Sequence, residues 1–193
     1  IDVTAHYQFY NNISVVRTWT SIQNISSENI GIEYVSSFNL TGIGKECDIK
    51  DRNKLKLSIP NNAWCREVDW KTYALEELGL YSRPVASTKR LSFSNTGTWS
   101  TKEYLPMGAL TDTSKASCLM WQIESNGSWH WEISDVRSYL YLKLSGPTEN
   151  ENHWYKELKS GEVFESIRTA VAIGDDFNDA LEQLTLYRRK IVK

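Results

Sequence analysis

Apolar and polar residues alternate along most of this chain, and the period is two rather than 3.6. Val3, Ala5, Tyr7 and Phe9 alternate with Thr4, His6, Gln8 and Tyr10, which predicts a strand with one apolar face. Val15–Ile22 is rich in β-branched and aromatic residues and predicts a second. After a polar turn at Asn24–Asn29, Ile30, Ile32, Tyr34 and Phe38 line one face of a third, so the pattern implies an antiparallel meander. Gly42, Gly44 and the charged run 45–54 read as a loop. Leu55, Leu57 and Ile59 give a short strand that Pro60 should end, with a turn at Pro60-Asn61-Asn62. In 63–70, Trp64, Arg66, Val68 and Trp70 fall on one side and Cys65, Glu67 and Asp69 on the other. Residues 71–81 suit a turn and a half of helix stopped by Gly79. Residues 82–118 read as loops with short strands at Arg90–Phe93 and Trp99–Leu105.

The strongest local signal is Met120–Ile133. Asn126-Gly127 separates two alternating runs, and this dipeptide favours the type I′ turn of a hairpin, whose central residues need φ > 0. Trp129, Trp131 and Ile133 share one face, so the alternation turns His130 and Glu132 outward. Leu140, Leu142 and Leu144 alternate with Tyr139, Tyr141 and Lys143, a strand covered on both faces. Val163–Ile173 reads as one long strand. The period then changes. Phe177, Ala180, Leu181, Leu184, Tyr187 and Ile191 recur at three and four, an amphipathic helix that Asp175 or Asp176 can cap. Basic Arg188, Arg189 and Lys190 near its end suit the helix dipole. Many short strands and a single helix make this an all-β domain, a sandwich or a barrel.

Composition narrows the function classes. The formal net charge is −2 and no basic block occurs, so neither a nucleic acid nor an anionic membrane is an expected partner. No apolar run reaches the length of a membrane span. Cys47, Cys65 and Cys118 are widely spaced and form no CxxC pair, which argues against a zinc site or a disulfide framework. Asn12, Asn24, Asn39 and Asn126 begin N-x-S/T triplets, weak support for secretion. The compartment stays open, with a lean to the cytoplasm. His6, His130 and His153 have no metal-ligand spacing, and no metal or other cofactor is expected. The carboxylate pairs Glu76-Glu77 and Asp175-Asp176 are sequence neighbours that do not face each other, so no catalytic dyad is implied. Eight tryptophans leave two readings open: indoles filling a sandwich core, or indoles stacking on sugar rings.

Several segments carry a resemblance. WQIESNGSWHWEI, LYLKLSGPTENENHW, SGEVFES and DDFNDALEQLTLYRRKI together resemble the N-terminal domain of the glycoside hydrolase family 36 α-galactosidases. RTWTSIQNISSENIGIEYVSSF looks like that domain's paired strands, and NNAWCREVDWKTYALEELGL is similar to its Trp-containing loop. The resemblance implies a two-sheet antiparallel β-supersandwich over 1–174, with more strands ahead of Ile1. It implies that 175–193 is a helix leading to a (β/α)₈ catalytic barrel. The barrel would carry the two catalytic aspartates, so no catalytic residue is expected in this chain. The parent enzyme would hydrolyse terminal α-galactosides such as melibiose and raffinose with retention. The barrel and, in a tetramer, neighbouring subunits are the implied partners. Trp64, with Asp51 and Arg66 near it, matches a loop that would help wall a neighbour's substrate pocket. Two further possibilities remain: an autonomous carbohydrate-binding module, or a sugar mutarotase, which would need a paired histidine and carboxylate in one cleft.

Overall fold

A computed structural model describes residues 1–44, 54–80, 89–136 and 139–192. Two antiparallel sheets pack face to face. The larger contains β1 (Asp2–Tyr10), β2 (Ile13–Gln23), β5 (Leu55–Ala63), β6 (Arg66–Ala74), β8 (Met107–Asp112), β9 (Ser117–Ile123), β13 (Val163–Glu165) and β14 (Thr169–Gly174). Its order is β1-β2-β14-β9-β8-β5-β6, and β13 also pairs with β2. The smaller contains β4 (Ser36–Ile43), β7 (Arg90–Asn95), β10 (Trp129–Val136) and β11 (Tyr139–Ser145), in the order β4-β11-β10-β7. A two-stranded ribbon joins β3 (Ile30–Ile32) to β12 (Lys156–Leu158). The expected all-β sandwich is therefore the observed architecture.

The core between the sheets is made by the alternating faces read from the sequence. Leu57, Trp121, Ile123 and Val171 come from the large sheet, and Trp129, Trp131, Ile133, Leu140, Leu142 and Leu144 from the small one. Trp131 stacks on Phe93 with ring centroids 4.3 Å apart and meets Trp121 edge-on at 5.1 Å. Gly108 lies under Trp121: a Cβ there would come within 2.3 Å of the indole, so only glycine admits the ring. These three indoles are core.

The hairpin expectation fails. β9 pairs with β8 and β14, whereas β10 pairs with β11 and β7, so Glu124–Ser128 crosses from one sheet to the other. Neither Asn126 nor Gly127 adopts the positive φ of a type I′ turn. Instead, Gly127 N–H donates to Ser125 Oγ, and Trp129 Nε1–H to the Ser100 carbonyl at 2.7 Å, which anchors the crossing.

Other boundaries also move. The third predicted strand splits into β3 and β4, in different sheets, so the meander stops at β2. Pro60 does not end its strand. Its carbonyl accepts from Leu105 N–H beyond the last β8 partner, so the missing N–H breaks no ladder bond there. The predicted helix at 71–81 is instead the end of β6 followed by a 3₁₀ turn, Leu75–Leu78; Gly79, at φ 81°, does stop it. Met107–Asp112 is a strand where a loop was expected, and Val163–Ile173 is interrupted at Ser166–Arg168.

A four-residue helix, α1 (Glu149–Asn152), covers part of the small sheet. The tail helix, α2 (Phe177–Ile191), is capped by Asp176, whose carboxylate accepts from Asp179 N–H. Ala180, Leu184 and Tyr187 bury against Val15, Met120, Ala170 and Ala172 on the outer face of the large sheet. Phe177 meets Trp70 edge-on at 5.0 Å. The helix approaches so closely that a Cβ on Gly174 would lie 2.4 Å from the Ala180 nitrogen.

The four-stranded sheet ends at β4, which packs near β2. β1 therefore extends past its cover. Val3, Tyr7 and Phe9 share the inward face with Ile22, Thr18 and Val16 of β2, yet remain exposed.

Candidate functional site

Of the expected pocket residues, Trp64 and Arg66 lie where β5 turns into β6. Asn62 fixes this end: its carbonyl accepts from Val68 N–H at 3.0 Å, and its amide donates to the Thr101 carbonyl. Segment 103–105 runs alongside, with Asn62 N–H donating to the Glu103 carbonyl at 2.8 Å. An open cleft of about 510 Å³ results, lined by Asn61, Asn62, Arg66, Asp69, Lys71, Tyr73, Glu103 and Tyr104 among others. Arg66 bonds Asp69 at 2.8 Å and Lys71 bonds it at 3.2 Å. The Lys71 hydrogen bond, then the Arg66 charge, hold the Asp69 carboxyl below its ordinary range.

Trp64 is 85% exposed at the tip of the turn and does not line the cleft. The expected shared face of Trp64, Arg66, Val68 and Trp70 does not exist. Cys65 and Val68 both take positive φ, at 62° and 59°, and each breaks the alternation. Arg66 consequently faces the cleft, whereas Trp70 turns to the other side of the sheet against Phe177. Asp51 lies outside the described residues. The structure thus places Arg66 in a polar cleft and leaves Trp64 as a bare indole beside it.

A second polar cluster sits on the outer face of the small sheet. His130 and Glu132 do point away from the core, but they are 2% and 6% exposed because segment 33–34 and α1 roof them. Glu149 N–H donates to the Glu33 carbonyl at 2.8 Å, which ties the two parts of the roof together. Glu132 accepts from Tyr141 at 3.0 Å and Arg90 at 3.1 Å; His130 Nε2 lies 3.2 Å and Lys143 Nζ 3.4 Å away. The His130 bond, followed by the Tyr141 hydroxyl and the Lys143 charge, lowers the Glu132 pKa to about 2 despite burial. Arg90 also bonds Glu151 at 2.8 Å. Burial first, then the Glu132 charge, pushes the Tyr34 hydroxyl up to about 12. The alternation of His130, Glu132, Tyr141 and Lys143 was visible in the sequence; their roof was not.

This cluster does bring a histidine and a carboxylate together. Both Glu132 oxygens are already engaged by the protein's own groups, which does not suit a free acid–base pair. Among the described residues no group of three or more His, Cys, Asp or Glu is arranged to hold a metal ion.

No protein-family model matches the sequence, and no curated protein matches it. Solved structures do. The α-galactosidase from Lactobacillus brevis superposes with a TM-score of 0.78 at 15% identity, over 97% of this chain and 23% of that one. The fold is that of one part of the family 36 α-galactosidases. AgaA, a family 36 α-galactosidase from Geobacillus stearothermophilus, gives 0.77 at 15% identity over 96% of this chain and 24% of its own. The galactosidase domain of the α-galactosidase–sucrose kinase AgaSK gives 0.72 at 18% identity, over 94% and 23%. The chain therefore spans about a quarter of the length of each α-galactosidase it matches.

Proposed function

We propose that this chain is the non-catalytic N-terminal domain of an α-galactosidase that hydrolyses terminal α-galactosides such as melibiose and raffinose. The observation that carries the reading is the superposition of 97% of the chain on less than a quarter of an α-galactosidase. A supersandwich over 1–174 then packs beside a (β/α)₈ barrel, with 175–193 leading into it. The barrel supplies the two carboxylates that retention requires, set close enough for one to attack and one to donate a proton. The sandwich contributes assembly and shape. In a homo-oligomer, the β5–β6 turn presents Trp64 and Arg66 to a neighbouring subunit's pocket, where the indole packs on the galactose ring and the guanidinium meets its hydroxyls. The exposure of Trp64 supports this role, since a buried indole could not reach a ligand.

The test uses the intact polypeptide that contains this chain. It should release galactose from melibiose and raffinose, while residues 1–193 alone should not. W64A in the intact enzyme should raise KM or lower kcat for melibiose with its oligomeric state kept. An intact protein inactive on every α-galactoside refutes the enzyme reading. Unchanged kinetics in W64A refute only the role of Trp64.

A further inference from the structure

The roofed cluster on the small sheet encloses a cleft of about 240 Å³, on the opposite sheet from the Trp64 turn. Its floor is His130, Glu132, Arg90 and Lys143; its rim is Glu33, Tyr34, Thr148 and residues 149–151. Four acidic residues, Glu33, Glu132, Glu149 and Glu151, line it together with two basic ones, Arg90 and Lys143. A phosphate or carboxylate would meet net repulsion there. A neutral polyhydroxy ligand would not, because each hydroxyl both donates and accepts. The wall offers both functions. Glu33 and Glu149 are lining residues with acceptor-only side chains, and Arg90 and Lys143 have N–H groups beyond those bonded to Glu132 and Glu151. The half-exposed Tyr34 ring adds an apolar surface at the rim, with Lys143 Nζ 6.0 Å from its centroid. Prior ordering lowers the cost of binding: Glu132 is held by four groups, and the roof is tied by Glu149 to Glu33. At this volume, below the roughly 300–1,000 Å³ of common ligand pockets, the space suits one sugar ring rather than a chain.

We propose that this cleft binds a single neutral sugar ring, independently of Trp64. The site is a subsite of weak affinity, because its walls are polar and half open, and it would hold a carbohydrate near the domain rather than transform it.

The experiment is an NMR titration of the ¹⁵N-labelled chain with D-galactose, D-glucose, sodium phosphate and sodium acetate, each up to roughly 100 mM, where millimolar dissociation constants are read directly. A sugar should shift the amides of Glu33, Tyr34, Arg90, Lys143 and Glu149–Glu151 saturably, while phosphate and acetate should not. Y34A and E149Q change rim residues only, so their spectra should stay dispersed while the saturable shifts weaken at least several-fold; W64A should leave them intact. The proposal is overturned by the absence of saturable shifts on this face, by shifts that persist in both rim variants, by a stronger response to phosphate, or by sugar shifts confined to the β5–β6 turn.

Discussion

Glu132 offers the sharpest test of the energetics. Its folded pKa of about 2, against 4.5 for an ordinary glutamate, corresponds to about 3 kcal/mol of preference for the charged form. The sign follows from linkage. A carboxyl with a depressed folded pKa contributes stability that is present above the unfolded value and lost as pH falls through the folded one. Wild type should therefore lose about 3 kcal/mol between roughly pH 5 and pH 2 from this group alone. E132Q keeps the shape but removes the charge, and sets an amide N–H₂ among donors from His130, Tyr141, Arg90 and Lys143. Arg90 and Lys143 are partly exposed and can turn to water, which limits the loss. The variant should be destabilised by about 2–3 kcal/mol at neutral pH and should converge with wild type near pH 2. Urea unfolding followed by tryptophan fluorescence at several pH values measures both, since Trp121, Trp129 and Trp131 are buried. If the gap between E132Q and wild type stays constant from pH 7 to pH 2.5, the hub is not what the geometry implies.

Four further variants test packing and helix capping. W131A removes an indole stacked on Phe93 and should cost about 3–5 kcal/mol in denaturant unfolding. W131F should cost clearly less, because the indole N–H has no hydrogen-bond partner to lose. G174A should push α2 off the sheet and destabilise by about 1–3 kcal/mol, with faster amide exchange at Ala180 as the local readout. D176A should cost about 1 kcal/mol through the lost N-cap, read as a lowered Tm, with the β-sheet signal of circular dichroism unchanged.

The faces of this fold were legible in its sequence, but its pairings were not. Trp129, Trp131 and Ile133 alternate, and all three are core. The helix period from Phe177 onward was equally plain, and of the two cap candidates, Asp175 and Asp176, the second is the cap. Asn126-Gly127 misled because turn chemistry is local, whereas the sheet a strand joins is set by partners far along the chain: β14 for β9 and β7 for β10. Pro60 misled for a related reason: the ladder to β8 is interrupted there, with the Leu105 carbonyl taken by Met107 N–H, so the missing proline N–H is not needed. At the candidate site, the unusual mixture of Trp64 and Arg66 drew attention to the β5–β6 turn. Two positive-φ residues, Cys65 and Val68, then scattered a face that strict alternation would have kept together. The Glu132 hub was invisible because alternation distinguishes inward from outward but does not report a roof built from residues 33–34 and 149–151.

The bare inward face of β1 bears on how the molecule behaves in company. Phe9 is 77% exposed, and Val3 and Tyr7 stand beside it on a nine-residue strand that carries no lysine or proline to repel a neighbour. Such an edge recruits any extended segment of matching alternation, so colloidal behaviour should depend on concentration and salt even where folding stability does not. Kosmotropic salts should drive association through this strand, whereas a single lysine at Phe9 should restore a freely dispersing monomer without touching the core.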